Sequence, residues 1–102
     1  MGMFDWYQPT DDVKCPACGN KLRTWQGKEG PRALFVWRQG LAAPIAQEVD
    51  ADARLDDRAR ERFRLPSRFN IYSFDCPDHH PIDAECACVE DVWTTTRVLP
   101  IR

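Results

Sequence analysis

Five cysteines and two histidines are the residues of this sequence best suited to bind a metal or act as a nucleophile. The cysteines are Cys15, Cys18, Cys76, Cys86 and Cys88. An odd number of cysteines argues against a closed disulfide framework, and the first residues reach Asp5 without the basic and apolar regions of a secretion signal. We therefore predict a metal site in a cytoplasmic protein, since disulfides are rare in that compartment.

The segment from Cys15 to Gly19 reads Cys-Pro-Ala-Cys-Gly and has the form of a metal-binding turn. Two thiolates three positions apart can bind one ion from a tight turn whose backbone N–H groups point at the sulfurs. Pro16 fixes φ within this turn, and Gly19 permits the positive φ with which the chain leaves it. The segment therefore predicts one half of a metal site.

A second turn of the same form begins at Cys76, where the sequence reads Cys-Pro-Asp-His and ends at His79. Zinc takes four tetrahedral ligands from cysteine and histidine, and three thiolates with one imidazole are a common structural set. We predict one structural Zn²⁺, bound by Cys15, Cys18, Cys76 and His79.

The two motifs resemble those of the zinc-ribbon folds, in which two such turns at the tips of β-hairpins hold one zinc. The resemblance covers the motifs and the strands beside them, and it implies a small, mainly β domain. Residues 19–75 separate Cys18 from Cys76, more than a minimal ribbon contains, so we expect an inserted segment. The insertion is tolerable because each doubling of loop length costs only about 0.6 kcal/mol, whereas bound zinc contributes on the order of 10 kcal/mol.

Three more candidate ligands follow Cys76 closely and leave the fourth coordination position open to alternatives. His80 could replace His79, and Cys86 or Cys88 would give an all-thiolate site. A second ion bound by His80, Cys86 and Cys88 lacks a visible fourth ligand. In the remaining alternative Cys86 and Cys88 are free thiols, one of them buried as a small hydrophobic residue.

The ligand set favours a structural metal site over a catalytic one. A catalytic zinc keeps one coordination position open and has a base such as glutamate nearby, whereas four ligands are available here. Glu85 precedes Cys86, but the order of residues does not match the deaminase motif. A thiol- or zinc-dependent enzyme is therefore an alternative that we do not favour.

Alternating and apolar segments predict about four strands. They are a strand that leaves the first metal turn and ends near Trp25, an apolar strand over 33–37, and two strands rich in aromatic and β-branched residues over 69–74 and 92–99. A glycine-rich turn over 27–31 predicts that the first two pair as an antiparallel hairpin. The aromatic residues of 1–13 fit an extended arm packed on the domain or, less well, a clamp for a partner.

Residues 45–66 are predicted to form an inserted, charged segment that is helical over 47–65. Leu55, Ala59 and Phe63 fall on one stripe, acidic residues lie at the start, arginines lie towards the end, and Pro66 stops the helix. The predicted fold is thus a small, mainly β domain over residues 1–102. It contains a zinc-ribbon-like antiparallel sheet and one inserted charged helix.

Composition limits the classes of function. Hydrophobic residues make up 43% and charged residues 29% of the chain, which excludes a long disordered protein. The net charge of −2 creates no global attraction to nucleic acid or anionic lipid. No apolar stretch approaches the roughly 20 residues that cross a bilayer. We therefore expect no membrane contact, and composition does not predict the oligomeric state.

The distribution of charge and of tryptophans favours protein–protein recognition as the function. The stretch Arg58–Arg68 contains five arginines and one acidic residue, whereas residues 75–91 contain six acidic residues and no lysine or arginine. An acidic metal half opposes phosphate binding, so the alternative of nucleic-acid binding depends on that arginine stretch. Of the four tryptophans, Trp37 and Trp93 are predicted core residues, and Trp6 and Trp25 are predicted exposed residues at a protein contact.

Overall fold

Seven strands and one short helix make up the part of the chain that the computed structural model describes, residues 4–10, 13–30, 32, 34–48, 54–76 and 81–100. The elements are β1 Asp5–Gln8, β2 Trp25–Gly27, β3 Phe35–Arg38, β4 Ala46–Gln47, α1 Asp57–Arg60, β5 Arg68–Ser73, β6 Ile82–Val89 and β7 Val92–Val98. The strands form one sheet in the order β4-β3-β1-β2-β5-β6-β7. The predicted mainly β class is confirmed. No helix among these residues is long and apolar enough to cross a membrane.

The sheet is mixed rather than purely antiparallel, because β1 lies between β2 and β3. It pairs antiparallel with β2 and parallel with β3. The predicted hairpin between the strand ending near Trp25 and the strand over 33–37, which correspond to β2 and β3, is therefore wrong. A buried carboxylate explains the difference, since Asp5 on β1 accepts hydrogen bonds from Phe35 N and Trp37 Nε1 on β3. Within the segment predicted to be an arm packed on the domain, Asp5–Gln8 is thus an integral strand of the sheet.

One face of the sheet is buried and largely aromatic. The rings of Tyr7, Phe69 and Trp93 contact one another with centroids 5.5–5.9 Å apart. The sheet curls around this cluster, because Gly40 after β3 donates its N–H to Trp93 O on β7 at 2.7 Å. The predicted burial of Trp37 and Trp93 is confirmed, whereas Trp25 is only 1% exposed and its predicted exposure is wrong.

The described part of the inserted segment contains much less helix than predicted. Among the described residues only Asp57–Arg60 is helical, and 49–53 lie outside the described residues. Contacts with the rest of the chain replace helical hydrogen bonds on both sides. Gln47 belongs to β4 and its side-chain oxygen accepts from Leu55 N at 2.7 Å, while the Phe63 ring packs against Phe35 at 5.0 Å. The segment therefore lies against the sheet.

Candidate metal centre

The first cysteine motif forms the tight turn that its sequence predicts. Gly19 N donates to Cys15 O and Cys15 N donates to Asn20 O, both at 2.9 Å. Lys14 and Lys21 form a β-bridge at the base of the turn. Gly19 has a φ of +74°, a value that favours glycine. The turn therefore presents Cys15 and Cys18 from one compact loop.

The second cysteine segment reaches this turn directly from the end of β5. Asp75 fixes the approach, because its side chain accepts a hydrogen bond from Arg23 N at 2.9 Å. Its own N–H donates to the hydroxyl of Ser73, the last residue of β5, at 3.2 Å. Cys76 then lies with its Sγ 3.3 Å from that of Cys18, although 58 positions separate the two residues. Two distant segments thus bring their thiol groups together.

The three sulfur atoms have the spacing of ligands that share one ion. Those of Cys15, Cys18 and Cys76 all lie within 4.8 Å of one another. A Zn–S bond of about 2.3 Å in a tetrahedral site places two sulfurs about 3.8 Å apart. Cys15 and Cys76 are buried and Cys18 is half-buried. Small side-chain movements would therefore suffice for these residues to hold a metal ion.

Hydrogen-bond donors surround two of the sulfurs. Burial alone raises the pKa of Cys15, but the backbone N–H groups of Cys18 and Ala17 and the thiols of Cys18 and Cys76 outweigh it, so that this pKa lies below its usual value. Asn20 Nδ2 donates to Cys18 Sγ at 2.9 Å. Thiolates are the form in which cysteine binds metals, so the surroundings suit a cation.

The structure separates the remaining candidate ligands. Cys86 and Cys88 lie on β6, outside the cysteine cluster, which is the one group of three or more potential ligands within reach of a common ion among the described residues. The alternatives that recruit either thiol to this ion therefore find no support. His79 and His80 lie outside the described residues, so the fourth ligand stays a prediction.

The surroundings of Cys86 and Cys88 indicate ordinary sheet residues. Burial raises the pKa of Cys86 to about 12, and burial also raises the pKa of Cys88. Cys86 Sγ lies 4.0 Å from the hydroxyl of Thr96 on the next strand. Neither thiol is a ready nucleophile at neutral pH.

Two residues that support the site were missed in the sequence. Asn20 directly follows Gly19, and Asp75 directly precedes Cys76, so both are neighbours of the motifs. An amide or carboxylate beside a metal motif is a weak signal, because its role depends on where the chain folds back. Only the tertiary contact between Arg23 N and Asp75 reveals the role of the carboxylate.

Comparison with known proteins provides no relative for this chain. No protein-family model matches it, and neither the curated proteins nor the solved structures include a detectable match. The case for a metal centre therefore rests on the geometry of Cys15, Cys18 and Cys76.

Proposed function

We propose that Cys15, Cys18, Cys76 and His79 bind one structural Zn²⁺, and that the domain held together by this ion recognises a protein partner. The observation that carries the metal is the 3.3 Å approach of the Cys18 and Cys76 sulfurs from segments 58 positions apart. Three sulfurs this close repel one another once they ionise, and a bound cation would offset this repulsion.

The chemistry of the donors favours zinc. Thiolates are soft ligands that select Zn²⁺, Cu⁺ or iron–sulfur chemistry. Three thiolates with one imidazole are an ordinary set for structural zinc, and His79 follows Cys76 at the same spacing as Cys18 follows Cys15. When bound, the ion would supply a cross-link between the first turn and the end of β5. The ion would contribute to stability, because a small domain buries only a limited hydrophobic core.

A structural role agrees with the other thiols of the chain. Four protein ligands leave no coordination position for a reacting water. The raised pKa values of Cys86 and Cys88 keep these thiols protonated near neutral pH, which counts against a thiol-dependent enzyme.

Elemental analysis and native mass spectrometry of the purified protein test the metal. We expect one zinc per chain, lost in Cys15→Ser, Cys76→Ser and His79→Ala and retained in the control variants Cys88→Ser and His80→Ala. Removal of the ion by a strong chelator should unfold the protein or lower its unfolding midpoint sharply. A metal-free chain that keeps its stability in chelator would overturn the proposal. If zinc is lost in His80→Ala and retained in His79→Ala, the fourth ligand is His80 rather than His79.

Exposed side chains near the metal centre and in the arginine stretch support protein recognition. Phe74 lies two residues before Cys76 and is 70% exposed, with its ring against Tyr72 at 5.4 Å. In the stretch Arg58–Arg68, Arg60 and Arg64 donate to backbone carbonyls of this chain. The other three arginines of the stretch, Arg58, Arg62 and Arg68, are exposed. Planar guanidinium groups bind carboxylates well, and a net charge of −2 disfavours a polyanionic partner.

Salt dependence distinguishes a protein partner from nucleic acid. We expect no binding of a fluorescent 20-nucleotide single strand by the zinc-loaded protein at 50 mM salt. Tight binding that falls steeply between 50 and 200 mM salt would instead favour nucleic acid, because counterion release makes such binding salt-dependent. For the protein partner, we compare the proteins captured by the wild type and by Phe74→Asp in quantitative affinity capture, and we expect the variant to lose a partner. Binding measured with that partner and each purified protein should show the same loss.

A further inference from the structure

A depression of about 360 Å³ lies over β5, β6 and β7 on the exposed face of the sheet. Side chains from two rows that run across the three strands line it. The first row is Arg68, Ala87 and Thr95, and the second is Asn70, Glu85 and Arg97. None of these residues belongs to the cysteine cluster, so the depression is a separate feature of the surface.

Ala87 creates the depression because its side chain is the smallest in the two rows. It lies directly opposite Arg68 on one side and Thr95 on the other. Residues directly opposite on neighbouring strands have Cβ atoms about 4.5–5.5 Å apart. The methyl group of Ala87 therefore forms the bottom of the depression, and the longer polar side chains of Arg68 and Thr95 form its sides. We call this feature the Ala87 depression.

The charges around the Ala87 depression leave one guanidinium group available. Arg97 forms an ion pair with Glu85 across the two strands. Arg68 is exposed and makes no ion pair with any described residue. Asn70 and Thr95 add an amide and a hydroxyl. Hydrogen-bond donors thus outnumber acceptors, so the complementary ligand group is an anionic acceptor.

Building on the proposed protein recognition, we infer that the Ala87 depression binds an aspartate or glutamate side chain from an extended segment of a protein partner. The carboxylate pairs with Arg68 over Ala87. The side chain two positions further along the partner meets Asn70 and Arg97. The two rows are two residues apart on each strand, roughly 6.6–6.8 Å, which is also the spacing of alternate side chains in an extended peptide.

Acidic residues on the same face favour one carboxylate over a polyphosphate chain. Glu85 lies in the second row, and Asp83 lies two residues earlier on β6, exposed and on the same face. A single carboxylate at Arg68 lies in the first row, away from both, whereas a nucleic-acid backbone that follows the sheet would meet them. The charges on this face of the sheet therefore favour a peptide with isolated acidic residues over a nucleic-acid backbone.

NMR titration of the zinc-loaded protein tests this inference with defined probes. The probe is the blocked peptide Gly-Ser-Glu-Val-Gln-Ser-Gly, and its control is the same peptide with glutamine in place of glutamate. We expect saturable shifts of the Arg68 Nε–H signal and of the Ala87 and Thr95 amides with the glutamate peptide. Arg68→Gln should weaken binding at least fivefold, whereas Arg23→Gln, which removes an exposed arginine outside the depression, should leave it unchanged.

Several outcomes would overturn the inference and leave the metal proposal intact, because zinc content is measured on the same samples. They are equal shifts with both peptides, binding unaffected by Arg68→Gln, and no shifts at 10 mM peptide. NMR shifts confined to the surface around Phe74 would show that the peptide binds there and not in the Ala87 depression, and they would still support protein recognition. Larger effects of an oligothymidine probe on the Arg68 signal would assign the depression to nucleic acid and count against both proposals of a protein partner.

Discussion

Asp5 on β1 accepts a hydrogen bond from the backbone N–H of Phe35 on β3 at 3.1 Å, and both residues are fully buried. The other carboxylate oxygen accepts from Arg32 N at 3.1 Å and from Trp37 Nε1 at 3.3 Å. One acidic side chain thus joins β1 to its parallel neighbour β3 and to the loop that precedes β3. Buried carboxylates are costly unless they are hydrogen-bonded in this way.

Asp5→Asn should destabilise the protein strongly. The amide would turn an NH₂ group towards N–H donors that now meet an oxygen, and hydrogen bonds to charged groups contribute about 1.5–3 kcal/mol each. We expect a loss of about 2 kcal/mol or more in the free energy of unfolding, measured by urea denaturation at pH 7. Asp83→Asn, at an exposed position on β6, is the control and should change little. Equal midpoints for the two variants would contradict this role of Asp5.

The Asp5 network also explains why the sequence predicted the wrong strand neighbours. A glycine-rich turn between two strand segments normally indicates a hairpin, and nothing local in residues 25–38 argues otherwise. The N-terminal strand enters between them because Asp5 finds its donors on β3. Such a long-range pairing has no signature in either segment alone. The class and the strands β3, β5 and β7 were predictable because their residues have strong β propensity.

Strand β6 was missed although its alternation is regular. Buried Ile82, Ala84 and Cys86 alternate with exposed Asp83 and Glu85. Alanine and acidic residues have low β propensity. Cys86 and Cys88 were interpreted as candidate metal ligands rather than as residues of a strand. For the metal site the result is the reverse. The Cys-Pro motifs that begin at Cys15 and Cys76 were sufficient to predict that Cys15, Cys18 and Cys76 lie together.

Asn20→Ala should weaken metal binding without removing a ligand. Asn20 Nδ2 donates to Cys18 Sγ at 2.9 Å, and loss of such outer contacts typically lowers metal affinity 10- to 100-fold. Since Asn20 is exposed, we expect about a 10-fold loss, measured by zinc competition with a chromophoric chelator. Asn70→Ala, an exposed asparagine on β5, is the matched control. Unchanged affinity in Asn20→Ala would show that the contact has no effect on the ion.

The buried thiol of Cys86 should make stability fall in alkaline solution. Burial raises its pKa from 9.0 to about 12, so the unfolded chain releases this proton first. The contribution is complete below pH 9 and is lost as the pH rises towards 12, at about 1.4 kcal/mol per pH unit. Urea denaturation at pH 8, 9.5 and 10.5 should therefore give a flatter profile for Cys86→Ala than for the wild type.

The comparison isolates Cys86 because the metal-binding thiols are the same in both proteins. Cys88→Ala is the control, and its profile should lie closer to that of the wild type because Cys88 is only half-buried. Identical pH profiles for the wild type and Cys86→Ala would contradict the raised pKa.

Two buried tryptophans differ in what their indole N–H groups contact, and the same substitution at both positions should reveal it. Trp93 Nε1 donates to Thr95 O at 2.9 Å and to the Thr96 hydroxyl at 3.1 Å. Trp25 Nε1 is buried without a hydrogen-bond partner among the described residues. Trp93→Phe loses these hydrogen bonds as well as buried area, whereas Trp25→Phe loses area and removes an unsatisfied donor. Since each bond contributes about 0.5–1.5 kcal/mol, Trp93→Phe should cost about 1–2 kcal/mol more in urea denaturation. Equal losses, or a greater loss in Trp25→Phe, would show that the hydrogen bonds of the Trp93 indole N–H contribute nothing to stability.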